Sequence, residues 1–514
     1  MADTRQHFKC IGIVGAGNMG AMMAFRFSEQ GLDVSLWDVI PSNVDNALSM
    51  CKGLQKGGLQ GKIDGFHDIH KFVRSLGVCD RKLFIFSITH GKPVDEVLEK
   101  IKGGLRDGDV VLDGGNEDYR NTERRQKELE LRGVGWIGMG VSGGYQSARR
   151  GPSMSPGGER KAVEMVLPLL EKFAAKAEGT GKPCVANVGP RGSGHFVKMV
   201  HNGIENGMLS TICEAWSLLH KSLGLSNDDI GSIFEKWNAE GELKDTYLIQ
   251  IGSEICHRRK TRKGDENGEG VGQNGYVLDD ILDKVVQDDN GSEGTLYWTV
   301  MEAARRHVSA PTIATGHFLR VASGNRNQRL RVAEKLDTPK PKAVTIENKD
   351  KFIEDLRKAV YVSILCSFCQ GMELIARASV DEGWGINLAT CIKIWRAGCI
   401  IQEDYIANML EPVFESDAQI MNLKLIDEVA SALHENFPAL RNVILKAVEW
   451  DAYVPSLSAS LEYIKYEGGT MLPTQFMEAE MDFFGAHAYD RPNVRGEDPG
   501  KPSKGAHHYE WRAA

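Results

Sequence analysis

The sequence predicts an α/β domain, then a large all-α domain and an extended carboxyl-terminal tail. Apolar strand patterns alternate with helix patterns up to residue 188, long helical periods fill residues 189–480, and residues 481–514 end in a stretch rich in proline, glycine and charge. Alternating strands and helices favour a mostly parallel sheet, whereas a segment without its own apolar core lies along another surface. We therefore expect three parts with these boundaries.

The composition is typical of a globular protein with more than one domain. The 514 residues are 42% hydrophobic and 26% charged, and the formal net charge is −8. A negative net charge gives no general attraction to nucleic acid or to an anionic membrane, so we expect neither as a partner. The first nine residues lack an apolar signal core, no later apolar run is judged long enough to span a bilayer, and the 10 cysteines are scattered. We therefore expect a soluble cytoplasmic protein.

A short apolar strand, Cys10–Val14, leads into a glycine-rich turn and then into a helix predicted over residues 21–30. The turn has the pattern G-x-G-x-x-G, which in this strand–turn–helix context indicates a Rossmann-like dinucleotide-binding domain. The first glycine permits the tight turn, the second lets a pyrophosphate approach the backbone, and the third packs the helix on the strand. The predicted cofactor-binding residues of this turn are Gly15, Gly17, Asn18, Met19 and Gly20.

The second predicted strand, residues 33–37, ends at Asp38, eighteen residues after Gly20. A carboxylate at this place accepts hydrogen bonds from the adenine ribose hydroxyls and repels a 2′-phosphate. We therefore predict NAD as the preferred cofactor, with NADP as the alternative.

The segments that follow two further predicted strands are rich in glycine and polar groups. Strands are predicted over residues 82–88, 110–112, 135–141 and 183–188. Ligands of such a sheet bind at the carboxyl ends of its strands. The first end offers an amide where a nicotinamide would lie, so Asn116 is a predicted cofactor residue. The second end, Ser142, Gly143 and Gly144, offers a hydroxyl and free NH groups, which suit a carboxylate.

One predicted helix, which begins near Gly192, carries several polar side chains on one face. Residues three, four and seven apart lie on the same side of an α-helix. The polar residues with this spacing are Lys198, His201, Asn202 and Glu205. Most of the remaining circumference is apolar, which predicts a helix buried in a domain core. Because buried polar groups need partners, we interpret this face as a candidate catalytic site rather than as a solvated stripe.

The chain beyond Asn206 is predicted to be helical. The predicted helices are residues 211–223, 247–256, 277–286, 299–307, 352–376, 388–401 and 423–436. The basic and then acidic loop at residues 257–270 is interpreted as solvated rather than as a nucleic-acid site. Cys366 and Cys369 form a C-x-x-C pair inside an apolar helix with no second pair, so we expect core packing and predict no metal site.

Several stretches of the chain resemble one family, the decarboxylating 6-phosphogluconate dehydrogenases, and the resemblance covers nearly the whole sequence. The most specific stretches are VSGGYQSARRGPSMSPGG from Val141, GSGHFVKMVHNGIENG from Gly192, WRAGCII from Trp395 and FFGAHAYDR from Phe483. The resemblance implies NAD(P)-dependent oxidative decarboxylation of a 3-hydroxy sugar acid in the pentose phosphate pathway. It also implies a homodimer in which His487, in the tail of one subunit, reaches the substrate site of the other.

The same resemblance implies a role for each residue of the helix face. Lys198, neutral in a partly desolvated pocket, takes the proton from the substrate 3-hydroxyl while a hydride leaves the same carbon, and then polarises the 3-keto group as carbon dioxide departs. Glu205 protonates the carbon that has lost the carboxylate. Asn202 and His201 orient the hydroxyl and the lysine, and residues 142–144 hold the carboxylate end of the substrate.

The cofactor site departs from the family pattern in one respect. The family has Asn-Arg-Thr after its second strand and uses the arginine to bind the 2′-phosphate of NADP. This chain has Asp38, Val39 and Ile40 there. The loss of the cation agrees with the NAD preference predicted from Asp38 alone.

The substrate phosphate site departs from the family pattern as well. Asn206 replaces a tyrosine, Glu293 replaces the first phosphate-binding lysine, and Met481 replaces an arginine. Of the substrate-binding residues, Thr295 and Arg320 are kept. A charge-assisted hydrogen bond contributes about 1.5–3 kcal/mol, so these changes weaken phosphate binding. The substrate is therefore either 6-phosphogluconate or a 3-hydroxy acid without the phosphate.

Two other functions are compatible with parts of the sequence. A non-decarboxylating dehydrogenase of the 3-hydroxyisobutyrate type shares the glycine turn and the helix lysine, but the length of the helical domain and the retained His201, Asn202 and Glu205 disfavour it. A catalytically retired homologue that binds a dinucleotide would explain the altered phosphate site. An inactive protein, however, has no need for an amine and a carboxylate on one buried helix face.

Overall fold

A computed structural model of the chain describes residues 8, 10–54, 60–77, 79–260, 275–285, 294–417 and 420–512. The strands within these residues are β1 (Cys10–Val14), β2 (Val34–Trp37), β3 (Ile63–Phe66), β4 (Lys82–Phe86), β5 (Val110–Asp113), β6 (Gly135–Val141) and β7 (Met154–Gly157). They form one sheet in the order β3-β2-β1-β4-β5-β6-β7, in which only β7 runs antiparallel to its neighbour. The prediction of an α/β domain with a mostly parallel sheet is confirmed.

Helices cover both faces of this sheet. They are α1 (Asn18–Glu29), α2 (Pro41–Leu54), α3 (Ile69–Ser75), α4 (Lys92–Ile101), α5 (Tyr119–Glu130), α6 (Gly144–Arg150) and α7 (Arg160–Phe173). Alternate residues of one strand enter opposite cores: Leu83 packs with α1, α2, α6 and α7, whereas Phe84 packs with α3, α4 and α5. Because β2 and β4 lie on opposite sides of β1, the strand order reverses there and leaves a crevice at the carboxyl ends of the strands.

The chain after this sheet is helical, as predicted. Its helices are α8 (Ser193–Ser217), α9 (Asn227–Ala239), α10 (Tyr247–His257), α11 (Thr295–Arg305), α12 (Pro311–Gly324), α13 (Arg326–Leu336), α14 (Lys349–Glu382), α15 (Leu388–Ile394), α16 (Asp404–Ser416), α17 (Asp427–Glu449), α18 (Pro455–Glu467) and α19 (Thr474–Gly485). Helix α8 lies at the centre, where it packs on β6 and β7 and against α11, α12 and α14. It thereby joins the sheet to the helical part.

Helix α14 is long and apolar enough, by length and composition, to cross a membrane, so the sequence-based judgement that no run has this length was wrong for it. Its most apolar window is 94% buried inside the protein, as in the core helix of a helical domain. Cys366 and Cys369 are free, buried thiols on this helix, in agreement with the predicted core packing. Burial raises the pKa of Cys369 to about 12. Elsewhere in the chain, Cys79 is disulfide-bonded.

One predicted strand and one predicted helix are wrong because their backbone groups bind different partners. Residues 183–188 make isolated pairings instead of a strand, since the NH of Cys184 donates to Ala175 while its carbonyl accepts from Met154. Residues 388–401 do not form one helix, because α15 ends at Ile394. Beyond it, Gly398 has a left-handed φ of +72°, and its carbonyl accepts a hydrogen bond from Ser153.

The helix predicted over residues 277–286 is described up to residue 285, and there the chain forms a short 3-10 turn, Val277–Asp280, followed by irregular chain. Two apolar residues of this segment are not buried in a core: Ile281 is 63% exposed and Leu282 is 55% exposed. The predicted helix at residues 423–436 begins later, at Asp427, and continues to Glu449 as α17. The sequence analysis also missed β3 and β7 and, in the helical part, α9, α12, α13, α16, α18 and α19.

The chain divides into two compact units, Met1–Leu461 and Glu462–Ala514. The second unit contains α19 and the tail. The buried side chain of Asp482 organises it by accepting hydrogen bonds from His508 Nδ1 (2.9 Å), Trp511 Nε1 (2.8 Å) and the backbone NH of Ala488 (3.1 Å). The domain boundaries at residues 188 and 480 remain predictions.

Candidate active site

A cavity of about 810 Å³ opens at the carboxyl ends of β1, β4, β5 and β6, against α8. The predicted site residues that line it are Gly17, Asn18, Met19, Asn116, Gly143, Gly144, Lys198, Asn202, Glu205, Thr295 and Arg320. Residues from the glycine turn, the strand ends, α8, α11 and α12 therefore meet around one space. Within the described residues, no group of three or more His, Cys, Asp or Glu side chains is arranged to hold a metal ion.

Glycine is present at the three positions of the turn for different physical reasons. A Cβ at Gly15, whose φ is +102°, would lie 2.3 Å from the carbonyl oxygen of Ser87, and a Cβ at Gly20 would lie 1.9 Å from that of Gly15. These two glycines are required by the turn itself. A Cβ at Gly17 would meet no protein atom within 4 Å. Gly17 is the N-cap of α1, and the open space above it lets a ligand approach the backbone closely, which fits a dinucleotide pyrophosphate.

Asp38 lies next to the glycine turn, at the end of β2, and is 8% exposed. Its Oδ2 accepts a hydrogen bond from the NH of Ala16 (2.7 Å), and its Oδ1 accepts one from the NH of Ile40 (2.8 Å). A carboxylate has about four lone-pair sites, so these two bonds leave capacity for ribose hydroxyls. The side chain thus fixes the turn and presents negative charge beside it.

The polar side chains of α8 form hydrogen bonds with one another and with residues outside the helix. Lys198, which is 7% exposed, donates from Nζ to the hydroxyl of Ser142 at 3.1 Å. Asn202 donates from Nδ2 to the hydroxyl of Thr295 at 3.0 Å, so its Oδ1, 3.0 Å from His201 Nδ1, accepts the imidazole NH. The predicted helix face is therefore tied to β6 on one side and to α11 on the other.

His201 lies below the cavity and does not line it. Its side chain is fully buried, and Nδ1 is 3.8 Å from a carboxylate oxygen of Glu205. Burial first, and then the positive charge of Lys198, hold the pKa of His201 well below its ordinary value, so the ring is neutral at physiological pH. The structure thus brings His201 into contact with Asn202 rather than with the space where a substrate would lie.

The glycine-rich segment after β6 combines one packed glycine and one open glycine. A Cβ at Gly143, whose φ is +91°, would lie 2.4 Å from the carbonyl oxygen of Gly398, whereas a Cβ at Gly144 would meet nothing within 4 Å. The backbone at Gly144 is therefore accessible to a ligand. Ser142 is buried and contributes through its bond to Lys198.

The structure does not place Asn206, a predicted substrate-binding residue, at the cavity. This residue is 4% exposed, does not line the cavity, and donates from Nδ2 to the carbonyl oxygen of Ile313 at 3.4 Å. One residue after Glu205, it is turned about 100° around the helix and faces α12 instead of the cavity. Of the other residues discussed for the substrate site, His487 belongs to the second compact unit, and Glu293 lies outside the described residues.

The sequence analysis missed the carboxyl end of β4. Ser87, Ile88, Thr89 and His90 follow this strand and line the cavity, together with Leu209, Val285, Leu296 and Ile400. The rule that ligands bind at the carboxyl ends of parallel strands applies to β4 as it does to β5 and β6. Residues 87–90 contain no glycine, whereas the segments after β5 and β6 are rich in glycine.

Family models match almost the whole chain. Residues 10–189 match the NAD binding domain of 6-phosphogluconate dehydrogenase, and residues 194–511 match the 6-phosphogluconate dehydrogenase C-terminal domain.

Relatives agree with the family models. The chain is 59% identical to a decarboxylating 6-phosphogluconate dehydrogenase of Emericella nidulans over 96% of this chain and 100% of the relative. It is 37% identical to the decarboxylating enzyme 2 of Arabidopsis thaliana over 95% of this chain and 96% of the relative. A solved structure of Plasmodium falciparum 6-phosphogluconate dehydrogenase, studied alone, with NADP⁺ and with 6-phosphogluconate, superposes with a TM-score of 0.83 at 30% identity, covering 98% of this chain and 100% of that one. The chain therefore belongs to the 6-phosphogluconate dehydrogenase family.

Proposed function

We propose that the protein catalyses the NAD(P)-dependent oxidative decarboxylation of 6-phosphogluconate to ribulose 5-phosphate and carbon dioxide. The observation that carries this proposal is the convergence of Lys198, Asn202 and Glu205 on one cavity with the glycine turn. An amine, an amide and a carboxylate lie on one face of a buried helix, next to a backbone that fits a pyrophosphate. This set supplies a base, a hydroxyl-orienting group and an acid for the two chemical steps.

In the first step, Lys198 accepts the proton of the substrate 3-hydroxyl. The bound nicotinamide dinucleotide supplies the acceptor for the hydride that leaves the same carbon. The hydrogen bond from Lys198 to Ser142 and the bond between Asn202 and Thr295 fix these side chains before substrate binds, which lowers the cost of orienting them.

In the second step, protonated Lys198 donates its proton to the oxygen of the 3-keto group as the carbon–carbon bond to the carboxylate breaks. Carbon dioxide leaves, and the electron pair of the broken bond forms an enediol. Glu205 donates a proton to the carbon that lost the carboxylate while Lys198 takes the proton back from the enediol oxygen, which gives the ketose. The partly exposed side chain of Glu205 allows it to regain its proton from solvent.

We propose NAD as the preferred cofactor, with NADP as the alternative. The carboxylate of Asp38 is fixed beside the glycine turn by two backbone NH groups, and its charge would face the 2′-phosphate of NADP. Val39 and Ile40, which follow it, carry no charge to bind that phosphate. Repulsion without a compensating cation disfavours NADP.

The altered phosphate site supports a second candidate, the same chemistry on a 3-hydroxy acid without the phosphate. Asn206, which replaces the family tyrosine, is occupied by a hydrogen bond to Ile313 and does not reach the cavity. Thr295 and Arg320, which the chain keeps, line the cavity. Two polar groups bind a phosphate less tightly than the larger set of the family.

The two candidates are separated by initial rates of NADH and NADPH formation, with carbon dioxide release, on 6-phosphogluconate and on gluconate at matched concentrations. We expect carbon dioxide and NADH from 6-phosphogluconate, because the whole chain matches the family. Turnover of gluconate alone would favour the second candidate. Absence of turnover with both acids would overturn the proposal and support a retired homologue.

We also propose that the enzyme is a cytoplasmic homodimer in which the tail completes the partner's site with His487. The second compact unit exposes large apolar side chains in the single chain, among them Met471 (93%), Phe476 (71%) and Phe484 (73%). Large apolar side chains that are exposed within one small unit favour an interface with another chain. The mass measured by light scattering should be twice that of the chain, and a monomer at micromolar concentration would contradict the proposal.

A further inference from the structure

A fully buried ion pair lies behind the two loops that end β4 and β5. Arg125, on α5, donates from one guanidinium nitrogen to Glu117 Oε2 at 2.6 Å, and both side chains are 0% exposed. The same carboxylate oxygen accepts the backbone NH of Gly91 at 2.7 Å, and Arg125 donates from its other terminal nitrogen to the carbonyl oxygen of Gly91 at 2.9 Å. The pair therefore binds both polar groups of one backbone residue.

This pair connects two loops that line the cavity. Gly91 directly follows His90 in the loop after β4, and Glu117 directly follows Asn116 in the loop after β5. Both His90 and Asn116 line the cavity. Gly91 has a left-handed φ of +74°, so its backbone turns sharply where the pair holds it. In each loop, the residue that is fixed by the pair directly follows a residue whose side chain lines the cavity.

Stability alone gives a weak reason for this arrangement. Burying two charges costs several kcal/mol each, and an apolar pair of similar size is often as stable. Burial works to raise the pKa of Glu117, but Arg125 together with hydrogen bonds from Asn121 and Gly91 lowers it below the ordinary value, so the carboxylate is ionised. An apolar pair would leave the NH and the carbonyl of Gly91 without these partners.

The strand order indicates which part of the cofactor these two loops contact. The glycine turn follows β1, and β4 and β5 come next in the sheet before β6, whose end holds Ser142 against Lys198. A dinucleotide with its pyrophosphate at the glycine turn must pass the ends of β4 and β5 for its reactive ring to reach Lys198. We propose that Glu117 and Arg125 are positioning residues that hold these two loops in the shape that receives the nicotinamide half of the cofactor. This inference rests on the proposed function for the place of the cofactor.

The test compares a ligand that has the nicotinamide with one that lacks it. NADH binding is followed by its own fluorescence, and ADP-ribose binding by displacement of NADH, for the wild type and for Glu117→Gln. We expect the dissociation constant of NADH to rise about tenfold in the variant while that of ADP-ribose changes less than twofold. An equal loss of affinity for both ligands, or no loss for either, would overturn the proposal.

Arg125→Lys is the second variant, because it keeps the charge but cannot bind Glu117 and the carbonyl of Gly91 in the same planar geometry. If Glu117→Gln does not fold, the measurement on Arg125→Lys tests the proposal instead. We expect the same selective loss of affinity for NADH in this variant. The matched control is Lys82→Met, which breaks another buried ion pair of the same sheet, Lys82 Nζ to Asp109 Oδ2 at 2.9 Å, at the opposite end of β4 from the cavity.

The ratio of the two dissociation constants should not change in Lys82→Met. A change of that ratio as large as in Glu117→Gln would mean that loss of any buried pair in the sheet has this effect, which would also overturn the proposal. Because neither ligand requires the sugar acid, the result is independent of whether 6-phosphogluconate is the substrate.

Discussion

Replacing Lys198 by methionine should lower kcat for NADH formation by about 10³-fold while the dissociation constant of NADH stays within about threefold of the wild-type value. Methionine keeps the length and the apolar stem of the side chain and removes the amine. The base of the first step and the proton donor of the second step are lost together. The glycine turn and Asp38, to which we assign the other half of the cofactor, are not touched.

Lys221→Met is the matched control for this variant. Lys221 is exposed and lies in the turn that directly follows α8, so its loss removes one lysine from the same region without reaching the cavity. We expect kcat of the control within about twofold of the wild-type value, since exposed substitutions have small effects. If Lys198→Met kept more than a tenth of the wild-type kcat, Lys198 would not be the base, and Glu205 would be the next residue to test.

The parts of the fold and the site that could be predicted from the sequence are those set by local spacing. The glycine turn is defined by six consecutive residues, and the catalytic face of α8 by the helical repeat. Lys198, Asn202 and Glu205 consequently line one cavity, as their spacing predicts. The strand ends at β5 and β6 were found by the same kind of reasoning, because glycines and polar groups mark them.

The parts that were missed depend on which element packs against which. Asn206 is adjacent to Glu205 in sequence, but α12 covers its side of the helix, and no spacing rule identifies that neighbour. Residues 277–286 have a helical apolar pattern, yet Ile281 and Leu282, in the described part of this segment, are exposed. Asp283 in the same segment binds Arg326 and Arg329. The burial of a charged pair such as Glu117 and Arg125 is equally invisible in the sequence, because charged residues are normally expected at the surface.

The second large effect concerns cofactor choice. In the double variant Asp38→Asn with Val39→Arg, the ratio of kcat/KM for NADP to kcat/KM for NAD should rise by about 10²–10⁴-fold. The reason is electrostatic: the variant removes a carboxylate that would face the 2′-phosphate and adds a guanidinium, and each change contributes about 1.5–3 kcal/mol. Asparagine keeps an oxygen that can accept the NH of Ala16, so the glycine turn retains one of its bonds.

Two single variants divide this effect into its parts. Val39→Arg alone adds the cation at a side chain that is 71% exposed, so it should raise the rate with NADP while it leaves the turn intact. Asp38→Asn alone should mainly lower the rate with NAD, because the ribose hydroxyls lose a charged acceptor. A wild-type enzyme that already uses NADP at least as well as NAD would contradict the argument from Asp38. In that case another cation near the end of β2 must neutralise the 2′-phosphate, and Val39→Arg would change the ratio by less than about threefold.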